Sequence, residues 1–355
     1  MSKVIKKKAF QGPLFLMLAS PISLFLSLTA QRWLPEQFHR DSLWLQERLI
    51  GSVTGYSDSF SILSDLYGFL SISLNPTLLS ILQWGIAVLP LILISRIVDE
   101  VFDDVKSTLI AGLYLMLIPV YLSSYSKEFP VVLSINLILL SFWKFKGEAH
   151  RVLSFLSIVL TLTIIRPYYF LTVLCTLIFA GIVWRIQRKW VPITLLLATT
   201  IISTFEAITK IGMSLSGLNI LNLRFNVVNN SPIRANSSVF AEVYSSSFFE
   251  NLWINIKVMF SIIIPFDLSQ INSYNVVATF ITWLMIFSYY SQFTSNRNES
   301  LSLRVLTSFL LSYLLVALIF EPDVGSFNRH SFVWLPLIVL LSSTRRSFTR
   351  NNVTE

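Results

Sequence analysis

Residues 108–143 read TLIAGLYLMLIPVYLSSYSKEFPVVLSINLILLSFW. Two apolar runs, 108–124 and 130–143, flank a short polar turn that holds Lys127 and Glu128. Neither run contains an acid or a base. A soluble helical hairpin would carry charge along one face of each helix. Runs that are apolar all round, joined by a turn too short to leave the membrane, read as two membrane-embedded helices.

The same pattern recurs along the rest of the chain. Apolar segments lie at 13–30, 78–95, 108–124, 130–143, 152–166, 168–184, 190–206, 275–292, 305–320 and 331–343. The expectation is an all-α fold, a polytopic integral membrane bundle of about 10 (10–11) transmembrane helices. It forms one domain over 1–355, with two large outer loops at about 31–77 and 207–274. Composition agrees. Of the 355 residues 54% are hydrophobic and 13% charged, against about 25% charged in soluble domains. Disorder, a secreted disulfide scaffold and a soluble α/β enzyme are excluded. Cys175 is the one cysteine, so neither an intrachain disulfide nor a cysteine metal site can form.

Charge sets the orientation. The N-terminus carries Lys3, Lys6, Lys7 and Lys8 ahead of the first apolar run. Leu28-Thr29-Ala30-Gln31 is an indifferent cleavage site, so that run reads as an uncleaved first helix and not as a signal peptide. Ten spans with both termini inside place 17 basic residues inside and 10 outside, in longer loops. That is the positive-inside bias. It accounts for the net charge of +8 without nucleic acid, for which no basic stripe with interleaved aromatics exists. Segment 252–266 is short and carries Lys257, so it reads as re-entrant or interfacial; an extra span near 211–223 is the competing repair. In the first outer loop, Asp41-Ser-Leu-Trp-Leu-Gln-Glu-Arg-Leu-Ile reads as an amphipathic helix capped by Asp41, with Trp44 and Leu45 at a membrane interface.

The outer face gathers the candidate functional residues. Asp58 and Asp65 are seven apart, on one face if helical, as a general base or a ligand for a substrate hydroxyl. Lys127 and Glu128 sit at headgroup level, where charges need partners. Arg166, in Ile-Ile-Arg-Pro-Tyr-Tyr-Phe, lies in apolar surroundings, where an arginine costs about 2.5–3.5 kcal/mol if central and normally pairs. It and Tyr168 are candidates for holding a phosphate or carboxylate. Lys210, Arg224, Arg234, Glu242 and Asp267 lie in a loop suited to covering a substrate. Asp323, Arg329 and His330 precede the last span, with Asp323 and Arg329 as a pair and His330 as acid or base. Cations beside carboxylates on one face suit an anionic, lipid-borne substrate such as a pyrophosphate. No P-loop, HExxH or GxSxG motif is present.

The motifs YSKEFPVVLSINLILL, IIRPYYFL and SFNRHSFVWLPLIVLL resemble those of bacterial polysaccharide polymerases. These are the Wzy-type repeat-unit polymerases of O-antigen and capsule pathways, similar to membrane glycosyltransferases of the GT-C superfamily. The resemblance implies transfer of a glycan linked through pyrophosphate to undecaprenol, on the outer face of the bacterial cytoplasmic (inner) membrane. It implies Arg166 and Arg329 on the pyrophosphate with Lys127 assisting, and Asp58 as base with Asp65 and His330 behind it. The paired acidic motif of some GT-C enzymes has no clear counterpart here. No resident cofactor is implied; a divalent metal is compatible with the chemistry but has no signature. Implied partners are the lipid-linked substrate, membrane lipids, and the chain-length regulator and flippase of the same pathway. The rival readings are a single-sugar transferase using a polyprenyl-phosphate donor, a transporter of lipid-linked oligosaccharide, and a membrane acyltransferase.

Overall fold

The structure, a computed structural model, describes residues 12–35, 38–49, 59–69, 75–166, 168–182, 249–250, 253, 273–294, 300–320 and 324–351. Among these the only regular elements are helices, and no strand occurs, so the fold is all-α. The chain groups into two compact units, 1–166 with 332–355, and 167–331.

The first unit contains α1 (Gly12–Trp33), α2 (Arg40–Leu49), α3 (Ser59–Phe69), α4 (Pro76–Ile97), α5 (Val105–Tyr121), α6 (Phe129–Lys144), α7 (Glu148–Thr161) and α12 (Leu335–Asn351). The second contains α8 (Tyr168–Ile182), α9 (Ser273–Thr294), α10 (Leu301–Phe320) and α11 (Val324–Ser331). Helices α1 and α4 are long and apolar enough to cross a membrane, and α5, α6, α8, α9 and α10 contain shorter apolar stretches. These features point to membrane association.

Local chemistry explains the boundaries. Asn75 caps α4 by accepting from the backbone N–H of Thr77 (3.0 Å) and Leu78 (3.2 Å), with Pro76 next in line. Asp104 caps α5 by accepting from the Ser107 N–H at 3.1 Å. Pro130 occupies the first turn of α6, where its missing N–H is no loss.

Helix α1 packs on α5 through small residues. Ala19, Ser23, Ser27 and Ala30 are buried along one stripe, and the Ser23 hydroxyl donates to the Leu115 carbonyl at 2.6 Å. Close approach over small side chains is how helices associate in lipid. Gly12 carries it furthest. A Cβ there would overlap the Phe102 carbonyl oxygen, so only glycine fits. The opposite side of α1 leaves Leu14, Phe15, Met17, Leu18, Ile22 and Phe25 exposed.

Three expectations need correction. Helix α2 begins at Arg40, so Asp41 lies inside its first turn and does not cap it. Leu45 is fully buried within the protein, where α2 packs on α3, and not at a membrane interface. The run 108–124 also ends early as helix, at Tyr121. Residues 122–124 are apolar or small enough to read as a continuation, but their carbonyls are taken by side chains from α4, described next. Spans 190–206 and 252–266, and the competing 211–223, lie outside the described residues.

Candidate functional site

A helix that stops leaves its last carbonyls without intrahelical partners. At the end of α5 the neighbouring helices supply them. The Ser80 hydroxyl donates to the Ser123 carbonyl. Gln83 is fully buried on α4. With its amide nitrogen turned to this side, it donates to the Ser124 carbonyl at 2.9 Å and to that of Leu122, while its oxygen faces the Tyr67 hydroxyl at 2.8 Å. Tyr67, buried on α3, sits against the next peptide. Its hydroxyl lies 2.9 Å from the Ser126 carbonyl and accepts from the Ser126 N–H at 3.1 Å. The ring is wedged between Tyr125, edge-on at 4.9 Å, and Phe129, stacked at 5.7 Å. Burial pushes the Tyr67 phenol well above its ordinary range, and the Ser126 N–H that donates to it offsets part of that rise. Burial also raises Tyr125.

The turn thus held ends in a buried charge. Glu128 is 0% exposed. The Ser126 hydroxyl accepts from its backbone N–H at 3.1 Å, and its position at the N-terminus of α6 favours a negative charge. Its side chain meets Arg166, which is 6% exposed, at the end of the 3-10 turn after α7. One guanidinium nitrogen donates to both carboxylate oxygens, each at 2.7 Å. The pair ties the α5–α6 turn to the segment that follows α7. Removing one partner of such a pair costs about 3–5 kcal/mol, because the other charge is stranded in a low-dielectric interior. The partner that Arg166 requires on grounds of depth is therefore Glu128, 38 residues earlier.

Lys127 lies between the clamped Ser126 and the buried Glu128 and is itself partly exposed. Asp65 is exposed on α3, two residues before the buried Tyr67. Asp58 and Asp323 lie outside the described residues, as do Lys210, Arg224, Arg234, Glu242 and Asp267. In the second unit, Tyr168 opens α8, its ring 5.1 Å from that of Tyr169. Arg329 and His330 occupy the last turn of α11, the histidine buried and the arginine partly exposed. Among the described residues, no group of three or more His, Cys, Asp or Glu side chains is placed to hold a metal ion.

The structure therefore brings Lys127, Glu128 and Arg166 together and adds Tyr67, Gln83 and Ser126, which the sequence reading did not select. Gln83 carried a signal. It is the one amide in the run 78–95, and a strongly polar side chain at that depth calls for partners. Tyr67 carried none, since one tyrosine among 12 in a loop-like segment is unremarkable without its contacts.

Chemically, this is a buried ion pair beside a partly exposed lysine. Glu128 is bonded through both oxygens and shielded from solvent, so it is placed to hold Arg166 and not to accept a proton from a substrate. Lys127, partly exposed, is the other charged residue of the turn. No protein-family model, no curated protein and no solved structure matches the chain.

Proposed function

We propose that the chain is a polytopic glycosyltransferase of the bacterial cytoplasmic membrane, both termini inside, that polymerises lipid-linked glycan repeat units on the outer face. The observation that carries this reading is the α5–α6 turn. It is a polar knot at the end of an apolar hairpin, with Glu128 and Arg166 paired inside it and Lys127 partly exposed beside them. The membrane setting is supported by the exposed apolar side of α1 and by its small-residue packing on α5. A monomer in water rarely exposes so continuous an apolar patch.

In this reaction a carboxylate takes the proton of the acceptor sugar hydroxyl. The oxygen then attacks the anomeric carbon of the lipid-linked glycan. The bond from that carbon to the pyrophosphate oxygen breaks, and polyprenyl pyrophosphate leaves with the electron pair. Lys127 meets the charge growing on that leaving group, a pre-placed cation that needs no reorganisation. Arg166, committed to Glu128, holds the turn and does not touch the phosphate. Asp65 is exposed on a neighbouring helix and takes the base role with Asp58. The resemblance also puts Arg329 on the phosphate, which the Arg329→Ala variant tests. The chain-length regulator and flippase of the same pathway are the proposed partners.

The test is the length profile of surface glycan in a deletion strain complemented with wild type, Lys127→Ala, Arg166→Ala or Arg329→Ala at matched membrane abundance. Wild type restores a ladder, and Lys127→Ala leaves product capped at one repeat unit. An incomplete repeat in the deletion strain indicates a single-sugar transferase. Loss of all surface glycan, with lipid-linked units held on the inner leaflet, indicates a transporter. Either outcome overturns the polymerase reading.

A further inference from the structure

Helix α6 runs out into four consecutive exposed residues, Trp143-Lys144-Phe145-Lys146, in which aromatic and basic side chains alternate. The apolar surface of the hairpin leads directly to them. At 3.6 residues per turn, Leu137, Leu140, Trp143 and Lys144 fall on one side of α6, and both leucines are exposed. On α7, which packs against α6, Leu153 and Leu160 are exposed seven residues apart, on one face. The α6–α7 hairpin therefore shows apolar side chains along both helices and basic ones at its tip. The tip is held together without its lysines. Arg151 donates to the Phe145 carbonyl at 2.7 Å and stands 3.6 Å from Glu148, the one acid between 143 and 151. The Phe145 ring lies against His150, with centroids 5.9 Å apart. Lys144 lies 4.3 Å over the Trp143 ring. Among the described residues, neither Lys144 nor Lys146 forms an ion pair.

We propose that this tip docks the headgroup of an anionic phospholipid, with Lys144 and Lys146 meeting its phosphate. A phospholipid has the same two parts in the same order. Its chains cover the exposed leucines, and its charged head stands at the level of the lysines. An acidic protein would satisfy the lysines and leave the leucines in water. Tryptophan beside lysine suits this boundary, because the ring is amphipathic and the lysine stem carries its charge out to water. Charge then selects among lipids. A zwitterionic head brings a cation along with its phosphate, and Glu148 is already paired with Arg151. An anionic head brings no such cation and meets two basic side chains that fold-stabilising ion pairs do not use. The inference rests on the membrane setting of the function proposed above and not on its reaction. In the orientation given there, the lipid belongs to the inner leaflet.

The experiment titrates the purified full chain in detergent with phosphatidylglycerol, or with phosphatidylcholine of the same acyl chains, and counts bound lipid by native mass spectrometry. Melting temperature is recorded for every variant. The side chains changed are exposed, so the variants test the surface and not the core. Wild type binds phosphatidylglycerol more tightly than phosphatidylcholine. Lys144→Gln and Lys146→Gln each weaken phosphatidylglycerol binding about fivefold, the effect of one basic residue beside an anionic surface. The double variant loses about twentyfold or more and no longer distinguishes the two lipids. Lys144→Arg binds as wild type does. Arg96→Gln removes an equal charge from the exposed end of α4 and leaves the affinity unchanged. An equal loss in Arg96→Gln, or none in the double lysine variant, overturns the site while leaving the proposed function standing. Displacement of the lipid by inorganic phosphate at the same concentration also overturns it, since the ligand would then be a free anion. A wild type that binds neither lipid overturns both this site and the membrane setting.

Discussion

Helix α6 begins beside a carboxylate that water cannot reach and ends on a lysine that water surrounds. At the first end, Glu128 is fully buried, its oxygens are bonded to Arg166 at 2.7 Å, and the turn before it is gripped from α3 and α4. At the second end, Lys144 lies 4.3 Å over the Trp143 ring, which is 45% exposed, and Phe145 and Lys146 are exposed as well. Arg151 closes that turn by donating to the Phe145 carbonyl at 2.7 Å, and it stands 3.6 Å from Glu148 across one helical turn. Both ends contain an acid–base pair. Their physics differs because desolvation makes the buried pair indispensable once formed, whereas solvent and salt screen the exposed one.

The largest expected effect breaks the buried end. Arg166→Met or Glu128→Met alone lowers unfolding stability by about 3–5 kcal/mol, and the double Met variant recovers most of the loss. Unfolding of the full chain in detergent micelles checks this. A double variant as poor as either single would show that the pair is not a closed unit. Next comes Gln83→Leu, which leaves the Ser124 and Leu122 carbonyls without their amide donor. The expected loss is about 1–3 kcal/mol, the cost of buried polar groups left unsatisfied.

Tyr67→Phe is smaller, about 1 kcal/mol at neutral pH, and has a pH signature. Burial raises the folded-state phenol above the unfolded value. The stability it lends is complete below a pH of about 10 and is lost as pH rises further, because the unfolded chain ionises first. The phenylalanine variant should lose less stability than wild type between neutral and strongly alkaline solution, measured by melting temperature. The smallest effect belongs to the exposed end. Glu148→Ala should change stability by less than about 1 kcal/mol, and by less still in high salt. A larger change there would erase the contrast between the two ends.

The apolar runs alone made most of α1, α4, α5, α6 and α7 legible, since their polar interruptions mark where such helices start and stop. What it misjudged was decided by contacts distant in sequence. Ser123 and Ser124 read as helix because small hydroxyl residues are tolerated there, and only the approach of Ser80 and Gln83 makes it favourable to leave the helix. Asp41 reads as a cap by residue type, yet the chain enters α2 one residue sooner. The need of Arg166 for a partner followed from its depth, but several carboxylates on the outer face qualified, and Glu128 was singled out only by the fold. Tyr67 acts through a main-chain grip, which no side-chain pattern records.

Lys127 and Glu128 are neighbours of opposite sign, one reaching the surface and one sealed inside. The turn therefore has a reading frame. Inserting one residue between 122 and 127 would present the Lys127 ammonium to the guanidinium of Arg166, and deleting one would put Phe129 in the place of Glu128. Connecting turns usually tolerate changes of length. This one should not, and an epitope or fluorescent tag belongs in the exposed turn at 145–148 instead, where no buried partner fixes the spacing.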